Sequence, residues 1–254
     1  MIRFKQIISK MLQQYNRILF NSRWIAERYC EKHVLCLGDS QARVFRYIAK
    51  HSLAKREKMP LRFDVVSVVG ATAQGIANPN SKTNAFAIFR RRLSSVKSWQ
   101  YVFLLLGEVD CGFVIWYRAQ KYEENIQTQL TYSVDNYCNF IQQVKATVGT
   151  NVFVISAPLP TIADNQAMGE VANARKEVKA TQSERSDLTI EFNRLLRERC
   201  HTLGGGFIDV TSAQRDPSNG LIHQRFINPD GLDHHLNNAE YSHLILKEIR
   251  QVLS

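Results

Sequence analysis

A serine that directly follows an apolar stretch is the first residue of this 254-residue sequence with the potential for covalent chemistry. Residues 35–40 read LCLGDS, and a segment with helical patterning begins at Gln41. Ser40 is therefore expected at a helix N-terminus, where unpaired backbone N–H groups and the helix dipole favour a negative charge beside the hydroxyl. Asp39 or Ser40 could instead simply cap the helix. The position alone leaves both interpretations open.

Histidines that could act as a base for this serine gather near the carboxyl terminus. A serine hydroxyl is a weak nucleophile near neutral pH unless a base accepts its proton. These imidazoles could also be surface groups that cap or pack against the last helix. Neighbouring histidines seldom share one metal ion, and HxxxH and HExxH spacings are absent, so no metal is expected. Four of the seven histidines lie in this region, namely His223, His234, His235 and His243.

The elements that must position these groups are predicted from the apolar patterning. Short β-branched runs alternate with helix-length segments, which is typical of a parallel sheet covered by helices. We therefore predict an α/β fold, a three-layer α/β/α sandwich with a five-stranded parallel sheet in the flavodoxin-like order 2-1-3-4-5. The predicted strands are 33–37, 63–69, 101–106, 151–156 and 206–210, and the predicted helices are 41–55, 84–96, 122–148, 185–203 and 239–253.

The ends of the first three predicted strands carry the polar and small residues of a candidate site. Open parallel sheets bind ligands beyond the carboxyl ends of their strands, where the strand order reverses. Residues 70–75, GATAQG, follow the second strand, and residues 107–110, GEVD, follow the third. In the predicted order the first strand lies between them. Ser40 and both loops are therefore expected to line one crevice.

These motifs resemble those of the SGNH, or GDSL-type, hydrolases, a superfamily of serine esterases, lipases and carbohydrate deacetylases. The resemblance covers nearly the whole chain from residue 33. The GDS of residues 38–40 matches the nucleophile block of the family. Residues 107–110 fall where the family has Gly-x-Asn-Asp, and residues 230–235 fall where it has Asp-x-x-His. The resemblance implies a serine nucleophile at Ser40.

The oxyanion hole that the resemblance implies departs from the family pattern at one donor. The N–H groups of Ser40 and Gly70 are expected to form it, with Gly75 as the alternative second-block glycine. Val109 stands where the family places an asparagine that donates its side-chain amide. Loss of one oxyanion-hole donor typically costs about 10²- to 10³-fold in rate. We therefore expect an enzyme whose activity is weakened by this replacement.

Polar residues near Val109 are candidates for other roles in the crevice. Gln74 and Asn78 are the candidates for a substitute oxyanion donor. Glu108 cannot take that role when ionised, because a carboxylate only accepts hydrogen bonds. Asp39, Glu108 and Asp110 are candidates for contacting substrate. Glu108 and Asp110 are expected beside the pocket, where they either contact substrate hydroxyls or fix the loop.

The fifth block has an irregular spacing that leaves the base and its partner to be chosen. Leu232, not an acid, stands three positions before His235. The His-Leu that begins at His235 resembles the family's ending, so His235 is favoured as the base over His234. Asp233 is the leading orienting acid and Asp230 is the alternative. A backbone carbonyl could also orient the ring.

The resemblance implies a two-step acyl transfer by Ser40, His235 and Asp233, with no metal or organic cofactor. The leading interpretation is an esterase that removes an acyl group from a carbohydrate or polysaccharide, with acetyl as the leading candidate. One alternative is an O-acyltransferase on a glycan, since the same pair of side chains would serve it. The other is a non-catalytic binding or assembly protein in polysaccharide biosynthesis, which the missing asparagine motivates.

Charge and cysteine content set the expected partners and compartment. A net charge of +10 favours an anionic partner such as an acidic glycan, and no nucleic-acid motif accompanies it, so nucleic acid is not expected. Residues 1–30 are predicted to form an amphipathic helical extension of the hydrolase domain 31–254, docked on it or touching a membrane surface or partner protein. The long connection 158–183 could cover a substrate. Five scattered cysteines and no signal-like stretch predict a cytoplasmic protein.

Overall fold

The computed structural model describes residues 31–95, 99–149, 151–164 and 178–253. The predicted N-terminal extension, residues 1–30, lies outside the described residues. The same holds for residues 165–177 of the predicted long connection. The described residues contain the whole predicted sheet and the helices that pack on it, so the candidate site can be built from them.

Five parallel strands form one sheet in the order β2-β1-β3-β4-β5, as predicted from the sequence. At the carboxyl end of β1, Gly38 pairs with Ser67 of β2 on one side and with Leu105 of β3 on the other. The first strand is therefore central, and its end lies between the loops that follow its two neighbours. The strands are β1 (Lys32–Gly38), β2 (Leu61–Ser67), β3 (Tyr101–Leu105), β4 (Val152–Ile155) and β5 (Gly206–Ile208).

Seven α-helices connect or cover the strands in the described part of the chain. The predicted helix 41–55 is interrupted because Ser52 has a left-handed conformation, with φ of 53°. The helix predicted to begin at 185 begins three residues earlier, where Thr181 and Glu184 form a capping box. The helices are α1 (Arg43–Lys50), α2 (Leu53–Arg56), α3 (Ala85–Leu93), α4 (Ile115–Tyr122), α5 (Ile126–Val148), α6 (Gln182–Thr202) and α7 (Asn238–Leu253).

Helix α4 was missed by the sequence analysis, which began the next helix at residue 122. A π-helical turn, Asp110–Val114, leads directly into α4. Helix α4 ends at Tyr122, because the next residue, Glu123, has a left-handed conformation with φ of 54°. Asn125 then caps the start of α5 by accepting the Gln127 N–H. The glycine and β-branched residues around position 112 are weak helix formers, which hides this helix from a reading of intrinsic propensity.

Two cores sandwich the sheet because alternate residues of each strand point to opposite faces. On one face, Leu35 of β1 and Val102 of β3 pack with helices α3, α5 and α6. On the other face, Cys36 of β1 and Phe103 of β3 pack with α1 and α7. Both faces are therefore covered, and the strand ends are left as the place where loops can converge.

Candidate active site

The turn after β1 holds Ser40 in a fixed position at the carboxyl edge of the sheet. Gly38 is needed there, because a Cβ at this position would lie 2.2 Å from the Leu105 carbonyl oxygen. The Asp39 N–H donates to that same oxygen at 3.1 Å. The Asp39 carboxylate then accepts the Gln41 N–H at 2.8 Å, which caps a 3-10 turn that begins at Ser40. The sequence prediction of a serine at a helix N-terminus matches this geometry.

The loops after β2 and β3 are joined to each other by a buried carboxylate. Asp110 accepts the N–H groups of Ala73 and Gln74, at 2.7 Å and 2.9 Å. The Asn136 side chain of α5 donates to the Gln74 carbonyl at 2.9 Å, which ties the same loop to a helix. Gly70, at the start of this loop, is exposed and has a φ of +72°. The loop is thus held by its later residues, and Gly70 is presented at its free end.

The three acids predicted to contact substrate are all buried, and hydrogen bonds define what two of them do. Asp39 is 1% exposed, Glu108 is 4% exposed and Asp110 is fully buried. Asp39 caps the turn that begins at Ser40, and Asp110 fastens one loop to the other. The alternative role of fixing the loop therefore describes Asp110. Both oxygens of Asp110 are occupied by backbone N–H groups, whereas substrate contact by Asp39 and Glu108 stays a prediction.

Burial of Asp110 makes a measurable prediction about stability and pH. Burial raises the pKa of this carboxyl to about 6, although the N–H groups of Gln74 and Ala73 lower it. Because the pKa of Asp110 is higher in the folded state than in the unfolded state, the folded state binds the Asp110 proton more tightly. This contribution to the unfolding free energy is fully present below the unfolded pKa and is lost as the pH rises through 6. Relative to Asp110→Asn, the wild type should lose up to about 3 kcal/mol of unfolding free energy between pH 4 and pH 7.

Urea unfolding of both proteins across this pH range measures the difference. Asp135→Asn is the matched control for removing a carboxyl group, because Asp135 is about half exposed and lies 3.5 Å from Arg199, and an exposed ion pair contributes only about 0–1 kcal/mol. A wild type that instead gains stability over Asp110→Asn as the pH rises would show that the backbone donors outweigh burial.

Asp233 and His235 form a close pair in the loop before α7. The Asp233 Oδ1 atom lies 2.5 Å from His235 Nδ1 and also accepts the His235 backbone N–H at 2.9 Å. Although burial raises it, the net pKa of Asp233 is lowered by these hydrogen bonds and by the nearby imidazoles. Asp230 contacts the Leu232 N–H at 3.0 Å instead of the ring. Of the two candidate acids, the structure brings Asp233 to the imidazole.

The other ring nitrogen of His235 is directed into the protein. His235 Nε2 is buried and has no hydrogen-bond partner among the described residues. The neighbouring His234 ring packs against it with centroids 4.3 Å apart, and the His234 carbonyl accepts the Thr161 hydroxyl. His235 therefore has one nitrogen bound to an acid and one nitrogen left for a proton acceptor role.

A hydrogen bond made by the residue before His235 places this loop beyond the carboxyl end of β4, at the edge of the sheet where Ser40 lies. Thr161, which binds the His234 carbonyl, belongs to the chain that leaves β4. Tyr241, in the first turns of α7, is buried, and its pKa is raised by burial and by the negative charge of Asp39. No hydrogen bond joins Ser40 to His235 among the described residues. Catalytic hydrogen bonds often form only when substrate is bound.

Of the two candidates for the missing oxyanion donor, the structure engages one elsewhere. The Gln74 side-chain amide donates to Gln129 of α5 at 2.8 Å and is buried. Asn78 is exposed, and its side-chain oxygen accepts the Asn80 N–H at 2.9 Å. Val109 is half-buried at the start of the π-helical turn. Gln74 is therefore not available as the third donor, and Asn78 stays a candidate.

Two residues of α5 that the sequence analysis missed support the crevice. Gln129 accepts a hydrogen bond from the Gln74 side-chain amide, and Asn136 donates one to the Gln74 backbone carbonyl. They are seven positions apart, so they lie on one face of the helix. Polar residues at this spacing within an otherwise apolar face were the available signal, because buried polar groups require partners.

A metal ion could be held only by residues already in the proposed catalytic loop, as far as the described part of the chain shows. Ligand atoms of Asp233, His234 and His235 lie within 4.8 Å of one another. Two of these residues are already engaged in the short contact between His235 Nδ1 and Asp233 Oδ1. This arrangement is suited to orienting an imidazole.

Comparison with known proteins identifies the architecture. No family profile and no curated protein matches the sequence significantly. Similar solved structures include a GDSL-like lipase of Bacteroides thetaiotaomicron, with 15% identity and a TM-score of 0.56 over 91% of this chain and 95% of that chain. A carbohydrate acetylesterase of Sinorhizobium meliloti has 14% identity and a TM-score of 0.54 over 87% and 100%. An aryl esterase of M. smegmatis has 16% identity and a TM-score of 0.53 over 87% of this chain and 98% of that chain.

The fold is that of the SGNH, or GDSL-type, hydrolases. At 14–16% identity these similarities establish the SGNH fold alone. In this SGNH fold the central strand β1 delivers Ser40, the joined loops deliver Gly70, and the loop before α7 delivers His235 and Asp233. None of the helices in the described residues is long and apolar enough to cross a membrane.

Proposed function

We propose that this protein is a serine ester hydrolase that removes a small acyl group from a carbohydrate, with acetyl as the leading candidate. The observation that carries the proposal is the pair formed by Asp233 and His235, with His235 Nε2 buried and without a partner among the described residues. This pair lies at the edge of the sheet where Ser40 begins a helical turn. An acid, an imidazole and a serine in this order are the requirements of acyl transfer.

The first half of the reaction uses groups that the geometry leaves available. His235 Nε2 accepts the proton of the Ser40 hydroxyl, and the serine oxygen bonds to the ester carbonyl carbon. The carbonyl π electrons move to its oxygen, which the N–H groups of Ser40 and Gly70 stabilise. Neither N–H donates a hydrogen bond to another described residue. The bond to the alcohol then breaks as the His235 imidazolium returns the proton to the leaving oxygen.

The second half releases the acid and restores the serine. Water loses a proton to His235 Nε2 and attacks the acyl carbon, and Ser40 leaves with that proton. Asp233 remains ionised throughout and holds Nδ1–H of the ring, which fixes the tautomer and stabilises the imidazolium. The lowered pKa of Asp233 supports this role, because the carboxylate stays charged at the working pH.

The carbohydrate part of the proposal is supported by two lines of reasoning. One of the proteins with the same fold is named a carbohydrate acetylesterase. The net charge of +10 suits a substrate or partner with negative charges.

The buried free thiols Cys36, Cys111, Cys138 and Cys200 support a cytoplasmic location, where thiols stay reduced.

Labelling of the serine and hydrolysis of a simple ester test the proposal directly. A fluorophosphonate probe should modify the wild type once, with peptide mass spectrometry placing the adduct on Ser40. The same protein should release acetate from p-nitrophenyl acetate and from acetylated sugars. If no adduct forms and no ester is hydrolysed, the non-catalytic binding function, which the valine at position 109 favours, takes its place.

Restoring the missing donor should increase the rate. Val109→Asn adds a side-chain amide beside the proposed oxyanion, so kcat for p-nitrophenyl acetate should rise by about 10²-fold, the lower end of one oxyanion donor's effect. Val109→Asp is the matched control, because it has the same shape and only accepts hydrogen bonds, so it should lower kcat. Equal kcat values for both variants would mean that position 109 does not face the oxyanion.

A further inference from the structure

A stretch of positive charge follows the proposed nucleophile and is not used by the chemistry above. Residues 43–58 contain six lysines and arginines and one acid, so this stretch supplies half of the net charge of +10. All six cations are exposed. We define the cationic segment as Arg43, Arg46, Lys50, Lys55, Arg56 and Lys58.

Helix geometry places the first half of the cationic segment on one face. Arg43, Arg46 and Lys50 are three and four positions apart, so they are neighbours along the outer surface of α1. The opposite face of α1 is fixed, because Phe45 and Ile48 are fully buried in the core with α7. The three charges are therefore carried by a rigid support and face solvent.

Within the described part of the chain, no acid pairs with the cationic segment. Glu57 is the one acid in residues 43–58, and its carboxylate binds Arg250 of α7 at 2.6 Å. None of the six cations forms an ion pair with another described residue. A row of uncompensated like charges attracts a partner that carries several negative charges.

The position of the cationic segment relates it to the proposed site. Arg43 follows the 3-10 turn that begins at Ser40, about one helical turn away. Helix α1 then extends the row of charges by about 12 Å away from that turn. A chain-like anion bound along α1 would therefore have its next units close to Ser40.

A membrane surface fits these observations less well than a soluble polymer. A helix that binds a membrane inserts apolar side chains, but the apolar side of α1 is in the core. The described residues do have exposed large apolar side chains, and none of them lies in the cationic segment. They are Val69, Tyr122, Tyr132, Leu232 and Val252.

We propose that the cationic segment binds a carboxylated polysaccharide and presents its acyl esters to Ser40. The inference rests on the proposed function, which supplies the ester chemistry, and it specifies the substrate as a polyuronate. The carboxylates of successive sugar units pair with the arginines and lysines of α1, while an esterified hydroxyl of a neighbouring unit enters the crevice.

Charge reversal within and outside the cationic segment tests the inference. Binding of labelled polygalacturonate is measured by fluorescence anisotropy at low ionic strength. The double variant Arg46→Glu and Lys50→Glu should bind at least about tenfold more weakly than the wild type. The matched control is Arg90→Glu and Arg91→Glu, two exposed arginines on α3 at the other face of the sheet, which should change the affinity less than about twofold.

Kinetic measurements separate this inference from the proposed function. Both double variants should hydrolyse p-nitrophenyl acetate like the wild type, because this neutral ester reports Ser40 chemistry alone. With acetylated polygalacturonate, KM should rise at least about tenfold in the Arg46 and Lys50 variant and stay unchanged with acetylated xylan, a neutral polymer.

Three results would overturn the inference. The first is equal weakening of polygalacturonate binding by both double variants, which would mean that only net charge matters. The second is binding to phosphatidylserine vesicles through Arg46 and Lys50 without binding to polygalacturonate. The third is an unchanged KM for the acetylated polyuronate in a protein that hydrolyses the aryl acetate normally.

Discussion

Replacing Ser40 by alanine is expected to lower kcat for p-nitrophenyl acetate by about 10⁴- to 10⁶-fold, since no other group can form the acyl-enzyme. The backbone N–H of residue 40 remains in the variant, so a small residual rate should persist. The fold should be unaffected, because the described residues show no hydrogen bond from the Ser40 hydroxyl to another side chain. Thermal unfolding checks this, since the variant and the wild type should have the same Tm.

The strongest form of this prediction is that the serine and the imidazole act as one unit. His235→Ala should cost about as much as Ser40→Ala, and the double variant should be no slower than either single one. His234→Ala is the matched control, because it removes the adjacent ring, whose centroid is 4.3 Å away. A loss that is equal for His234→Ala and His235→Ala would remove the basis for choosing His235 as the base.

Asp233→Asn should have the second largest effect, a decrease in kcat of about 10²- to 10⁴-fold. Asp233 accepts hydrogen bonds on both oxygens, from His235 on Oδ1 and from the Asn228 amide at 2.9 Å on Oδ2. An asparagine places an NH₂ group against one of these donors in either orientation. The ring then loses its negative partner and is held in a poorer tautomer.

Asp230→Asn is the comparison that gives this experiment its meaning. Asp230 lies three residues earlier in the same loop, and its carboxylate binds the Leu232 N–H instead of the ring. Its replacement should change kcat by less than about threefold, as expected for an acid outside the acyl-transfer unit. Steady-state hydrolysis of p-nitrophenyl acetate measures both variants. If Asp230→Asn is the more damaging of the two, the orienting role belongs to Asp230.

The sheet was predictable from the sequence because its signals are local. Each strand is a short apolar run bounded by polar or small residues, and the chain alternates such runs with helical segments. That pattern predicted five strands, their order and the central place of β1. The break at Ser52 and helix α4 were missed, because both depend on backbone conformations that composition does not reveal.

The candidate site was predictable in its parts and less so in its contacts. Sequence position indicated Ser40, Gly70 and His235, which the fold places at one edge of the sheet. The irregular spacing of the last block left two acids open, and only the loop conformation brings Asp233 to the ring. The structural roles of Asp39 and Asp110 depend on buried hydrogen bonds to backbone N–H groups, which one sequence does not show.

The bond between Asp110 and the loop after β2 has a mechanical consequence for substrate choice. The carboxylate belongs to the segment after β3, and its two acceptor bonds go to Ala73 and Gln74. The two walls that flank Ser40 are thereby coupled, and one of them cannot be displaced without straining the other. A crevice held rigid in this way should not widen for a bulky chain, so the proposed hydrolase is expected to act on esters of short acids more readily than on esters of long ones.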